Sequence, residues 1–172
     1  MGIKGTLAAV ATVGLLVGGC ATKEPGRHAM AQLEPASGST VRGTVHFYET
    51  PKGIRVVAKI SGLTPGQHGF HIHEKGDCSK PDATSAGGHF NPGGAKHGAP
   101  TDGERHAGDF GNLTADAAGN AKADFVDGHI SFNGPNSIVD RGVIVHEKAD
   151  DLKSQPAGNA GARVACGNIM LH

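Results

Sequence analysis

No tryptophan occurs among the 172 residues, and aromatic side chains make up only 4% of them. Apolar residues reach 37%, below the usual globular share. Neither sign of charge dominates, since Lys plus Arg and Asp plus Glu number 16 each. Without a basic excess the chain lacks the electrostatic footprint of a nucleic-acid-binding domain. No helical period extends beyond one or two turns, which argues against a coiled coil or a helix bundle. Leu7 to Val17 is the main apolar run near the start, and it is too short to span a bilayer as a helix.

What is abundant points elsewhere. The 28 Gly and 9 Pro fill about a fifth of the chain, as expected of short strands joined by many turns. Eleven His are present. Imidazole is the commonest transition-metal ligand, so a metal reading comes first. The length suits one domain.

Residues 1–19 read as an export signal. Lys4 is the only charge before Cys20, Leu7 to Val17 is the apolar region, and Gly18-Gly19 precede the cysteine. Small residues before Cys20 resemble a bacterial lipobox, with cleavage before Cys20 and a lipid on its thiol. The alternative is an ordinary signal peptide in which Cys20 is incidental. Either way the mature chain works outside the cytoplasm. Residues 20–39 hold Pro25, Gly26, Pro35, Ser37 and Gly38, and are expected to be a flexible, lipid-anchored tether. The folded domain is expected over 40–172. With Cys20 lipidated, Cys78 and Cys166 remain, and in an oxidising compartment such a pair is most simply a disulfide. Two free buried thiols are the alternative.

Residues 41–48 alternate, with Val41, Gly43, Val45 and Phe47 on one side and Arg42, Thr44, His46 and Tyr48 on the other. Ile54, Val56, Ala58 and Ile60 repeat the pattern after a Thr50-Pro51-Lys52-Gly53 turn, so the two segments predict a hairpin. Further strands are expected at 68–73, 110–115, 121–126, 129–132, 142–147 and 162–171. Two long loops, 74–109 and 148–161, lie between them. The fold class expected is all-β, a sandwich or barrel. A loop near 35 residues is unusual in a compact domain unless something orders it, and a metal can do so.

His71 and His73 stand two apart on a strand, so both rings leave the same face and form a two-nitrogen clamp. His89, His97, His106 and Asp109 follow in the first long loop, and His146 ends the strand Val143-Ile144-Val145. These seven residues complete two four-ligand sites if His89 serves both. An all-imidazole set suits copper. Three imidazoles and one carboxylate suit a closed tetrahedral zinc site, which is structural and not hydrolytic.

The segments Gly69-Phe70-His71-Ile72-His73-Glu74, Gly87-Gly88-His89-Phe90-Asn91-Pro92, Lys96-His97-Gly98, Arg105-His106-Ala107-Gly108-Asp109, Val145-His146-Glu147-Lys148-Ala149-Asp150-Asp151 and Gly158-Asn159-Ala160-Gly161-Ala162-Arg163-Val164-Ala165-Cys166-Gly167 resemble, in order, those of the copper/zinc superoxide dismutases. The resemblance covers about residues 40–172. It implies a Greek-key β-barrel or sandwich of about eight antiparallel strands with two long functional loops. It implies copper on His71, His73, His89 and His146, and zinc on His89, His97, His106 and Asp109. Asp150 then matches the carboxylate that links a copper His to a zinc His. Arg163 matches the arginine that receives the anion, and Cys78 and Cys166 match the intrasubunit disulfide. The implied activity is dismutation of superoxide to dioxygen and hydrogen peroxide, with His89 carrying a proton, in defence of the cell envelope. The partners implied are the superoxide anion, a membrane reached only through the lipid on Cys20, and a second subunit in a homodimer, with a monomer as the alternative.

Two departures point to a bacterial, periplasmic member. Cys78 follows His73 by five residues, earlier than in the eukaryotic enzymes. The loop from His146 to Arg163 is shorter and lacks their Glu-rich stretch. His28, His46, His68, His129 and His172 are expected to hold no metal: His28 in the tether and His172 at the end solvated, His46 outward on a strand, His68 structural, His129 at a turn. Rival functions are a periplasmic metal buffer, which would not need Arg163, and a zinc hydrolase, which would need an open zinc position.

Overall fold

The computed structural model describes residues 1–2 and 26–172. The signal segment expected over 1–19, and Cys20, lie outside the described residues, apart from Met1 and Gly2. Among the described residues no helix is long and apolar enough to cross a membrane.

Eight strands form a closed antiparallel barrel: β1 His28–Pro35, β2 Arg42–Thr50, β3 Gly53–Ser61, β4 Gly66–His73, β5 Asp109–Ala115, β6 Ala121–Asp127, β7 Gly142–His146 and β8 Arg163–Leu171. The order around the barrel is β1-β2-β3-β6-β5-β4-β7-β8. The β3–β6 and β4–β7 neighbours are non-consecutive, which is the Greek-key connection expected. The predicted hairpin is β2–β3, running in register from Arg42 opposite Ser61 to Thr50 opposite Gly53.

Alternation builds the core. Val45, Phe47, Val56, Ala58, Ile60, Phe70 and Ile72 point inward and are essentially inaccessible to solvent. Phe110 joins the β4 and β6 layers, with ring centroids 5.5 Å from Phe70 and 5.2 Å from Phe125. Few large side chains are needed because closure of the barrel buries both Ala and Val fully.

Two expectations need correction. The tether expected over 20–39 does not extend over 28–35, which are strand β1, paired with β2 and β8. Ala29, Ala31 and Leu33 alternate inward at 0% exposure. Two of these three are alanines, whose small apolar area gives a weak alternating signal. The strand expected at 129–132 is absent; that segment makes only one isolated bridge, Ser131 to Ser137. Ile130 and Phe132 are nonetheless buried. Alternation there reports which side faces the core and not membership of a ladder.

Candidate metal centre

The long loops 74–108 and 147–162 fold onto β4, β7 and the start of β5. There the seven sequence-predicted ligands come together. His71, His73, His89 and His146 form one buried four-donor group, and His89, His97, His106 and Asp109 form another; within each, the donor atoms lie within 4.8 Å of one another. His89 belongs to both. The register explains part of this. His71 and Phe70 of β4 lie opposite Ile144 and Val145 of β7, which brings His146 beside the clamp. A bridge between His73 and His89 docks the loop on the end of β4.

Five of the six rings, all but His106, have one nitrogen held and one left bare. The His71 Nε2–H donates to Asp150 Oδ2 at 2.7 Å, and the His97 Nε2–H donates to Asp150 Oδ1 at 2.9 Å. The His73 Nδ1–H donates to the Gly87 carbonyl at 3.0 Å, and the His146 Nδ1–H to the Gly161 carbonyl at 3.2 Å. Because these acceptors cannot donate, the tautomers follow from geometry. The opposite nitrogens, His71 Nδ1, His73 Nε2 and His146 Nε2, are buried without a hydrogen-bond partner, as are His89 Nε2, His97 Nδ1 and His106 Nδ1. Six such orphans converging in a protein interior are hard to sustain without a cation.

Asp109 organises the second group. Its Oδ1 lies 2.8, 3.1 and 3.2 Å from the Nδ1 atoms of His89, His97 and His106. Its Oδ2 accepts the backbone N–H groups of Gly98 and His106, each at 3.1 Å. Three nitrogens and one carboxylate oxygen, fixed by backbone bonds, are a four-donor set of the kind a tetrahedral zinc ion takes. The four imidazoles of the first group suit copper. The residues present therefore fit both ions.

Electrostatics keep His71, His73 and His146 unprotonated at neutral pH. Burial lowers the His71 imidazole to about 4, although Asp150 partly opposes it. Burial and the neighbouring His71 lower His146 to about 3, and burial holds His73 well below the ordinary value. For His97, burial lowers the value, but the Asp109 and Asp150 carboxylates beside its two nitrogens outweigh it and raise it to about 9. Both carboxylates are held far below the ordinary range, their histidine partners overcoming burial.

Arg163 opens β8 beside the first group. It lines a cavity of about 320 Å³ together with His73, His89, His146 and Asn159. Its two terminal nitrogens donate to the Ala83 and Gly87 carbonyls, each at 2.7 Å. Gly87 thus anchors both Arg163 and His73. Cys78 and Cys166 form a disulfide, tying the loop that carries these carbonyls to β8.

Two positioning residues were not legible in the sequence. Gln155 holds His97 at both backbone groups: its Oε1 accepts the His97 N–H and its Nε2 donates to the His97 carbonyl, both at 2.9 Å. Asn112 does the same for Asp150. Gly158 has φ +67°, and a Cβ there would lie 2.7 Å from His97 Nε2, so the loop can pass this close only with glycine. His68 is buried between the His146 and Thr64 carbonyls, and His129 lies beside Arg105.

An antiparallel barrel carrying two buried four-donor groups joined by one imidazole has the donor set of a dinuclear metalloprotein. A family model described as "Copper/zinc superoxide dismutase (SODC)" matches residues 41–169. The chain is 44% identical over 152 residues to a Brugia pahangi protein named "Extracellular superoxide dismutase (Cu-Zn)", spanning 83% of this chain and 75% of that one. It also superposes on a solved structure, "Crystal Structure Analysis of the clock protein EA4", with a TM-score of 0.77 and 45% identity, covering 86% of this chain and 96% of the other. The chain belongs to the copper/zinc superoxide dismutase family. Its activity is the dismutation of superoxide, an oxidoreductase reaction with copper and zinc as cofactors.

Proposed function

We propose that His71, His73, His89 and His146 hold copper, that His89, His97, His106 and Asp109 hold zinc, and that the His89 ring is shared. The observation that carries this assignment is the set of six bare, buried ring nitrogens divided between two groups with His89 common to both. When bound, copper supplies a one-electron couple and zinc a fixed positive charge.

The protein's own groups do the rest. Arg163 presents its guanidinium at the cavity mouth and attracts a small anion. Two superoxide ions and two protons give one dioxygen and one hydrogen peroxide. His89, whose Nδ1 faces Asp109 and whose Nε2 is bare, would take up and return one of those protons at Nε2, and solvent would supply the other. Asp150 is a positioning residue, because each of its oxygens fixes one ring and thereby one tautomer. A zinc hydrolase is disfavoured, since Asp109 fills the fourth position that a hydrolytic site keeps open.

The cellular setting is part of the same reading. The chain is exported through residues 1–19 and held by a lipid on Cys20, in the periplasm of a bacterium, where it protects the envelope. The apolar run before Cys20, the early position of Cys78 and the short 147–162 loop support this. The Brugia pahangi relative is named as extracellular, which agrees with export. Metal analysis with a superoxide-consumption assay tests the assignment. Copper and zinc are expected near one each per chain, with activity abolished by removing copper. Equal activity with zinc alone would refute it.

A further inference from the structure

A second group of metal-ligating side chains lies on the outer face of β1, β2 and β8. His28 Nε2 is 3.1 Å from His46 Nδ1, and the two rings are nearly parallel at 10°. His28 stacks on Tyr48 with centroids 4.6 Å apart, and the His172 ring is 5.7 Å from it. The His172 N–H donates to the His28 carbonyl at 2.9 Å, which holds that residue alongside.

The ladder adds sulfur. Met30 lies opposite His46 on β2 and opposite Met170 on β8. Ala29 and Ala31 face the core, so His28 and Met30 face outward. Directly opposed residues have Cβ atoms about 4.5–5.5 Å apart, within reach of a thioether. Met170 is 52% exposed, so nothing among the described residues covers it.

Two imidazole nitrogens 3.1 Å apart nearly match two ligands of one tetrahedral ion, which stand about 3.3 Å apart for bonds near 2.0 Å. Imidazole suits Cu(II), and thioether selects Cu(I). The five donors include no carboxylate, which disfavours calcium and magnesium. Partial burial and the neighbouring His46 and His172 rings lower the His28 imidazole, which keeps it bare at neutral pH.

We propose that His28 and His46, with His172 and the thioethers of Met30 and Met170, form an outward-facing copper site that takes up one ion per chain. It is separate from the dinuclear centre. Met170 and Arg163 stand seven residues apart on β8, roughly 23 Å of strand. The shell is open to solvent at Met170, so the ion exchanges readily. This replaces the solvated roles expected of His28 and His172 and gives the outward-facing His46 a ligand role.

The test starts from the full chain already loaded with copper and zinc. Titration with copper sulfate is expected to show a third equivalent of metal, with nitrogen hyperfine structure in its electron paramagnetic resonance spectrum. Replacing His28→Ala and His46→Ala together removes that equivalent and leaves superoxide consumption unchanged. Met30→Leu with Met170→Leu weakens anaerobic Cu(I) binding on the order of tenfold and spares Cu(II). In the unaltered protein, Cu(I) shifts the ring resonances of His28 and His46 and the methyl resonances of Met30 and Met170. The proposal is overturned by no third equivalent, by a third equivalent indifferent to the double His replacement, or by half an equivalent that joins two chains.

Discussion

Asn112 grips Asp150 by both backbone polar groups: Asn112 Nδ2 donates to the Asp150 carbonyl at 2.9 Å, and the Asp150 N–H donates to Asn112 Oδ1 at 2.7 Å. Asp150 in turn holds His71 and His97, one ring from each four-donor group. A side chain on β5 therefore sets the orientation of two rings that it does not touch. Asn112→Leu removes both bonds at a cost on the order of 1 kcal/mol each. Zinc retention is expected to fall roughly tenfold, measured as the rate of release to a chromogenic chelator. Release at the unaltered rate would remove Asn112 from the positioning chain.

Arg163 is fixed by two carbonyls, pairs with His146 across the β7–β8 ladder and lines the same cavity. Arg163→Ile should lower kcat/KM on the order of tenfold and flatten its dependence on ionic strength. Arg163→Lys should keep the ionic-strength dependence with a smaller loss of rate. Stopped-flow consumption of superoxide at several salt concentrations separates these outcomes. An unchanged rate in the Ile variant would dismiss the anion-guiding role.

The disulfide closes a segment of 88 residues, and chain-entropy arguments give such a closure about 4–5 kcal/mol. Its reduction also frees the loop bearing the Ala83 and Gly87 carbonyls. Cys78→Ser with Cys166→Ser is expected to lower both the melting temperature and the rate. Calorimetry and activity on the same sample check the pair. A large loss of stability with full activity would show that the loop holds Arg163 without the bond.

Metal-free protein should be most stable near pH 6.5. The unfolded chain binds protons below the ordinary imidazole value, while His71 refuses one until about 4 and His146 until about 3. Stability therefore falls as the pH drops from about 6.5 towards 4. His97 acts in the opposite sense: its value of about 9 means that its protonated form favours folding, and this contribution is lost as the pH rises through 9. Melting temperatures of the metal-free chain across this range give the profile. Ligation keeps all six rings unprotonated in the folded state, so metal-loaded protein should lose stability more steeply as the pH falls below 6.5 and should not show the loss near 9. A metal-free melting temperature that rises steadily from pH 6.5 to 4.5 would contradict the assignment of bare, buried rings.

The ligand set was legible because chemistry-bearing residues were spaced on elements with a strong local pattern. His71 and His73 share a strand face through a two-residue period, and Asp109 follows His106 at the point where the loop becomes β5. Most of the strands from β2 to β8 follow from Val, Ile and Phe alternating with polar residues, and β7 from its continuous apolar run Val143-Ile144-Val145. β1 was missed because Ala29 and Ala31 carry little apolar area, and flanking Pro and Gly suggested a linker. Asn112 and Gln155 act across 38 and 58 residues of sequence, and no local pattern marks an amide that clasps a distant backbone. The approach of His28 to His46 has no local signature for the same reason, since only the β1–β2 register brings the rings together.

The most direct test is a crystal structure of the fully loaded protein, with copper and zinc told apart by anomalous scattering at their absorption edges. The expected result is one ion on each side of the His89 ring, roughly 6 Å apart, given metal–nitrogen bonds near 2.0 Å on either side of an imidazole. Two ions in separate pockets with His89 bound to neither or only one would contradict it.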